Sequence, residues 1–247
     1  MLALVFALQV TVAAPQPLAE IDTGKMKGEI AQLAWSPDGS EFYVETVERD
    51  RVGNVVGAHH FVVSAAAKSV KGADRAPDWA SKYWTWKSAQ MAPGMPAFRI
   101  EVRQHEEIEN STATPTGGAL AKGGVADPSA GTTMEDAANA AYNRQKLLIS
   151  DLRVKNETIG TWVNEPVIPG FSFSWAPEPL HLLAFAKRDR KDGGPLVVLD
   201  ASGQKQELSV TKSAVLPAWS TDGKHLAWLE RRDRKKFQLM IADISVQ

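Results

Sequence analysis

Three tryptophans stand at equivalent places in a repeating pattern, which limits the chain to folds built from copies of one unit. Trp35, Trp175 and Trp219 each end a short apolar segment, as in LAWSPDGSEFYVE, FSWAPEPLHLLAFA and PAWSTDGKHLAWLE. The last two are 44 residues apart. A period of about 40–45 residues is typical of folds that repeat a small group of strands, so the repeat guides the interpretation of everything else.

A second repeated element keeps the same register. The triplet Arg-Asp-Arg occurs at 49–51, 188–190 and 232–234, and each central aspartate follows its tryptophan by 14 or 15 residues. A further step of 44 residues from Trp35 leads to Trp79, which predicts another unit with its turn at Pro93-Gly94. The triplets are therefore predicted to be hairpin turns between the second and third strands of each unit.

Each unit is predicted to contain about four antiparallel strands. An apolar strand ends at the tryptophan, a turn rich in Asp and Gly follows, and an alternating strand leads to the charged triplet and a third strand. Such a unit is typical of a propeller blade. The predicted fold is all-β: a β-propeller or propeller-like arc of about four recognisable four-stranded blades, with one polar insertion.

The motifs at 35–39 (Trp-Ser-Pro-Asp-Gly) and 219–223 (Trp-Ser-Thr-Asp-Gly) resemble the WD-like repeats of TolB-type β-propellers. The resemblance implies a ring with more blades than are recognised here, and contact with envelope proteins in the periplasm. The terminal blade lacks a last strand, which residues 18–28 are predicted to supply. A compact ring, an open arc and a piece of something longer all fit this pattern.

Two segments stand outside the repeat. The apolar residues 1–14 are too few to span a bilayer and end in the small residues Val12-Ala13-Ala14, so they are predicted to be a signal peptide of a periplasmic or secreted protein. The alternative is a buried strand in a cytoplasmic protein. Residues 105–145 are polar and rich in Gly, Ala, Thr and Pro, which predicts a flexible insertion in a single domain over 15–247, or else an extra blade.

Composition excludes several kinds of function. With 28 basic and 29 acidic residues the net charge is -1, so neither nucleic acid nor an acidic membrane is an expected partner. The chain has no cysteine, which excludes thiolate zinc sites and cysteine nucleophiles.

The segment GFSFSW lacks the second glycine of a serine-hydrolase elbow. His59 and His60 are neighbours on a strand, so they point to opposite faces and do not share an ion. We predict no cofactor, metal or catalytic site.

The sequence thus predicts a non-catalytic binding or scaffold propeller. The alternatives are a propeller hydrolase of the lactonase or glycosidase type, or an accessory propeller that gates a hydrolase on another chain. Turns of the same order emerge on one face of a propeller, so the triplets predict a rim that pairs with an acidic protein partner. Its candidate residues are Arg49, Arg51, Arg188, Arg190, Arg232 and Arg234. The simpler interpretation is that these charges keep hairpin tips soluble.

Overall fold

The computed structural model describes residues 10–51, 54–87, 89, 91–108, 146–156, 161–167, 173–187 and 194–246. Over 101–108, 146–156 and 161–167 it describes the backbone. Most of this chain is β-strand, arranged in four antiparallel sheets, which confirms the all-β prediction. Within these ranges no helix is both long enough and apolar enough to cross a membrane.

The N-terminal segment leads into the first repeat unit. It forms β1 (Val10–Val12), β2 (Gln16–Asp22) and the single helical turn α1 (Thr23–Met26). The first sheet then follows in chain order as β3 (Glu29–Trp35), β4 (Glu41–Arg49), β5 (Val55–Ser64) and β6 (Ser69–Ala73). Residues 1–9 of the predicted export segment lie outside the described residues, and its residues Val10–Val12 are strand.

The second sheet is preceded by a helix. The elements are α2 (Asp78–Lys87), β7 (Met91–Ala92), β8 (Met95–Ile108), β9 (Lys146–Asn156) and β10 (Thr161–Val167). The strand order is β10-β9-β8-β7, and Pro93-Gly94 is the turn between β7 and β8. Residues 104–149 separate as a second compact unit, described at the strand residues 104–108 and 146–149. Strand β8 therefore extends past residue 105, where the insertion was predicted to begin, and residues 109–145 of that prediction lie outside the described residues.

The prediction of a repeat unit at Trp79 is wrong, because this tryptophan lies in α2 and ends no strand. The helix begins with the acidic Asp78 and ends with the basic Lys87, the arrangement that its dipole favours. Tyr83 and Trp86 are three residues apart and meet edge to face, with ring centroids 5.2 Å apart. The match to the repeat was a coincidence of spacing in a segment rich in aromatic residues.

The last two sheets complete the described chain. The third sheet contains β11 (Phe173–Trp175), β12 (Leu182–Ala186), β13 (Leu196–Asp200) and β14 (Lys205–Glu207). The fourth contains β15 (Ala214–Trp219), β16 (His225–Asp233) and β17 (Lys236–Val246), with both β1 and β2 paired to β17. The N-terminal segment thus supplies strand to the last sheet, as predicted, but β2 pairs over Gln16–Asp22 rather than 18–28, and β1 pairs as well.

In three of the four sheets the second strand is buried on both faces, where the sequence suggested simple alternation; the described side chains of β8 do alternate. Phe42, Tyr43 and Val44 of β4 are consecutive and all buried, as are all five residues of β12. A run of buried residues on a strand requires cover on both sides of its sheet. The sheets therefore pack against one another through the faces of their second strands.

The three repeat tryptophans are buried at the same structural position, the last residue of a first strand. Trp175 and Trp219 have no exposed surface, and Trp35 is 4% exposed. The Trp35 ring lies 4.6 Å from the Phe42 ring, between centroids, and the Trp175 indole N–H donates to the Ala89 carbonyl at 2.7 Å. Their burial joins the first strand of each unit to the core.

We expect Trp219→Ala to lower the free energy of unfolding by about 3–5 kcal/mol, because it leaves a large cavity in a packed core. Trp79, which is only half-buried and lies outside the repeat, provides the matched control. Urea denaturation of Trp219→Ala and Trp79→Ala measures the difference. An equal loss of unfolding free energy in both variants would show that the repeat position contributes no more to stability than Trp79 does.

Candidate partner-binding face

The Trp-Ser-x-Asp-Gly motif forms a hydrogen-bonded turn that connects the first and second strands. The Ser36 hydroxyl donates to Asp38 Oδ1 at 2.6 Å and accepts the Glu41 N–H at 2.9 Å. Ser220 repeats both bonds, with Asp222 Oδ1 at 2.5 Å and the His225 N–H at 3.0 Å.

The pKa values of the aspartates and the backbone angles of the glycines agree with a structural role for these turns. The hydrogen bond from the Ser36 hydroxyl, with those from Ser40, lowers the pKa of Asp38 to about 2. At Asp222 burial acts to raise the pKa, but bonds from Ser220 and the Lys224 N–H outweigh it and lower it. Gly39 and Gly223 have φ of 74° and 70°, where a side chain is unfavourable. The Trp-Ser-x-Asp-Gly motif, the most recognisable part of the repeat, therefore has a structural role.

The Arg-Asp-Arg turns lie at the other end of the second strands. At the β4–β5 turn, Asp50 Oδ1 accepts the Asn54 N–H at 2.8 Å. At the β16–β17 turn, Asp233 Oδ1 accepts the Arg234 N–H at 2.6 Å. In both turns the central aspartate holds the backbone. This explains why an acidic residue separates the two arginines.

The four described arginines of the predicted rim are at or near the surface. Arg51, Arg232 and Arg234 are exposed, and the Arg49 side chain is 47% exposed with its Nε 3.9 Å from Glu29 Oε2. Five basic residues and one acidic residue occupy 231–236, so the β16–β17 turn carries the larger excess of positive charge. Arg188 and Arg190 lie outside the described residues.

A segment that the sequence predicted only as part of a closing strand joins the two turns. Thr23 bonds the Lys235 carbonyl through its N–H at 2.8 Å and its hydroxyl at 3.1 Å. On the other side of α1, the Thr46 hydroxyl donates to the Met26 carbonyl at 3.5 Å. The turns at 49–51 and 232–234 therefore flank one connector, residues 22–29. We call these two turns and the connector the arginine face.

The connector is held close to the first sheet by a glycine. Gly28 has φ of 75°, and a Cβ there would lie 2.5 Å from the Val47 carbonyl oxygen. Lys25 on the connector is 84% exposed and lies 3.9 Å from Asp22. The arginine face thus presents guanidinium and ammonium groups to solvent, with carboxylates between them. The only sequence signals for the connector are the Lys-Gly pair at 27–28 and the capping Asp22.

The histidines have separate partners, as strand geometry predicts. His59 Nε2 is 2.8 Å from Glu48 Oε1, whereas His60 Nδ1 is 2.7 Å from the Tyr43 hydroxyl. Among the described residues no group of three or more His, Asp and Glu side chains is arranged to hold a metal ion. The side chains of the HEEIE segment are not among those described.

Helix α2 brings two titratable groups into the core. The Tyr83 hydroxyl donates to the Trp219 carbonyl at 2.5 Å, and burial raises its pKa. Lys87 is fully buried, its Nζ donates to the Leu33 carbonyl at 3.2 Å, and burial lowers its pKa from 10.5 to about 7. The Trp84 ring lies 5.3 Å from that nitrogen. These bonds join α2 to the first strands beside it, Tyr83 to β15 and Lys87 to β3.

Stability is expected to rise between pH 7 and 10.5 because of Lys87. Its folded pKa is below its unfolded pKa, so the unfolded chain binds more protons in this window and folding becomes more favourable as protons leave. Lys87→Met should add on the order of 3–5 kcal/mol near neutral pH and remove most of the rise.

Urea denaturation at pH 6.5, 8 and 10 measures this effect. Lys82→Met is the matched control, because Lys82 lies on the same helix and is exposed. If both variants keep the wild-type pH dependence, Lys87 is not the group responsible.

Comparison with known proteins gives matches among solved structures and no sequence family. No protein-family model and no curated protein matches the chain. Among solved structures, the chain matches TolB from Acinetobacter baumannii with a TM-score of 0.32 and 9% identity. The match covers 88% of this chain and 43% of TolB, so this chain spans less than half of that protein's length.

Proposed function

We propose that the protein is a non-catalytic binding or scaffold protein of the β-propeller class, and that the arginine face captures an acidic protein partner. The observation that carries the proposal is the placement of Arg49, Arg51, Arg232 and Arg234 in turns on either side of residues 22–29. Four guanidinium groups at one end of the molecule suit a surface rich in carboxylates, since each can form charge-assisted bonds with two oxygens.

The contacts between sheets support the propeller arrangement. The first strands lie beside one another, β15 touching both β3 and β11. The turns that follow them also meet, since the Thr221 hydroxyl donates to the Pro37 carbonyl at 3.0 Å and His181 Nδ1 lies 3.1 Å from the Pro93 carbonyl oxygen. The first-strand contacts join the first, fourth and third sheets, and the turn contact joins the third to the second; such contacts between neighbours suit successive blades.

The proposal extends to the site of action. A signal segment at residues 1–14 would deliver the protein to the periplasm or outside the cell, and the partner would then be an envelope protein. The apolar composition of that segment supports this part of the proposal. The hydrolase alternatives have no favouring observation among the described residues.

Charge reversal tests the arginine face. The probe is a fluorescein-labelled peptide of eight glutamates, and we expect its affinity for the protein to fall about tenfold between 50 and 300 mM salt, since exposed charges are screened. The variant Arg49→Glu/Arg51→Glu/Arg232→Glu/Arg234→Glu should abolish binding. Fluorescence anisotropy measures both effects.

The matched control reverses four exposed lysines elsewhere and changes the net charge equally. It carries Lys68→Glu, Lys71→Glu, Lys82→Glu and Lys224→Glu, all at exposed positions. It should keep more than half of the wild-type affinity. Equal loss in the two variants would reduce the effect to overall charge and overturn the arginine face as a site.

A further inference from the structure

One strand of the first sheet has an edge that its neighbour leaves open. Strand β5 pairs with β4 along its length, from Val55 opposite Arg49 to Ser64 opposite Glu41. Strand β6 pairs only with the second half of β5, and its last residue, Ala73, lies opposite His60. In the described part of the chain, no strand pairs with residues 55–59 on that side.

The same five residues are unusually apolar for an exposed position. Val55 and Val56 are 53% and 63% exposed, and only Met91 and Val210 are also large, hydrophobic and exposed among the described residues. Neighbouring residues on a strand point to opposite faces, so the ribbon here is open to solvent on both faces as well as along its edge.

The open edge has one of the features that protect exposed strand edges, a register irregularity at Val56 opposite Glu48 and Arg49, but it lacks the others. Proteins blunt such edges with lysines, prolines, bulges or inward charges. The segment Val-Val-Gly-Ala-His contains no lysine, proline or carboxylate, and its His59 ring is held by Glu48 of β4. We propose that residues 55–59 accept an extended segment of a partner protein as an added strand; this rests on the proposed binding function and specifies how the partner docks.

A second copy of this chain fits the edge poorly. Two copies paired antiparallel about Gly57 would place Asn54 of the second copy opposite His60. That place is already taken by Ala73 of the first copy. The turn at Asp50–Asn54 of the second copy cannot easily move away from Ala73, because Asp50 and Asn54 are hydrogen-bonded to each other. A flexible segment has no such turn and can begin beside His59, next to the point where β6 ends.

The charges beside the edge define the partner segment. All pairs in this sheet are antiparallel, so an added strand continuing the pattern runs from His59 towards Val55. Its C-terminal end then lies beside Arg51, which is exposed in the adjoining turn. The partner segment therefore has β-branched residues followed by acidic ones: the strand pairs with the edge and the carboxylates with the arginine turn.

Hydrogen exchange on the full-length protein tests the proposal. The probe is the peptide Thr-Val-Thr-Val-Thr-Glu-Glu, and its reversed sequence, Glu-Glu-Thr-Val-Thr-Val-Thr, tests direction. At saturation by the first peptide, amide exchange within 55–59 should slow about tenfold or more, because unpaired edge amides become hydrogen-bonded. The reversed peptide should bind at least about fivefold more weakly, since its acidic end lies away from Arg51.

The variant Val55→Lys/Val56→Lys should lose the protection, because it introduces the charge that normally guards an edge. Met91→Lys/Val210→Lys is the control: it changes the other two exposed hydrophobic residues and should keep the protection. Both pairs are exposed, so the fold of each variant is retained, and far-ultraviolet circular dichroism checks this.

The outcomes separate the two proposals. No protection of 55–59, or equal protection in Val55→Lys/Val56→Lys, overturns strand addition, and protection that grows with protein concentration without peptide assigns the edge to a second copy. If the octaglutamate peptide still binds through the arginine face while 55–59 stay unprotected, the proposed function stands and strand addition fails. If 55–59 are protected but reversal of the four arginines leaves both peptides bound, the arginine face fails and the edge remains.

Discussion

The structure depends on the burial of a tryptophan at the end of the first strand in three of its four sheets. A side chain of that size, with no or almost no exposed surface, requires a neighbouring element to cover it. No single four-stranded sheet can provide this cover, so each repeat is stable only beside another. The second strands of the same three sheets are buried on both faces, so they too need cover from a neighbouring element.

Because of this packing, the turns at one end of each sheet contact other turns, whereas the described turns at the other end are open to solvent. The turns after the first strands contact one another, and a Cβ at Gly223 would lie 2.6 Å from the Leu180 side chain. Their Ser and Asp side chains are committed to hydrogen bonds within the turn. The described turns after the second strands carry their arginines at or near the surface. This division makes the second end the more suitable place for a partner.

The arginine face and the open edge of β5 adjoin at the β4–β5 hairpin. The hairpin projects because β6 is short and leaves the sheet at Ala73, after which the chain turns to form α2. Because the chain leaves the sheet at Ala73 to form α2, Lys87 reaches the core and Val55 and Val56 stay exposed. The path of the chain after Ala73 thus accounts for both an unusual buried lysine and an unusual exposed edge.

The sequence by itself determined the β-rich repeat, the turns at Ser36–Gly39 and Ser220–Gly223, and the hairpins at Asp50 and Asp233, because these depend on neighbouring residues. It did not distinguish a strand from a helix at Trp79, since the spacing of one tryptophan fits both. The sequence also indicated that the segment around residues 18–28 joins the last sheet, but only the tertiary structure decided its register with β17, the contacts of the connector with the two arginine turns, and the incomplete cover of β5. Those features join residues that are remote in the chain, and a local pattern of polarity records which residues are buried but not which segments bury them.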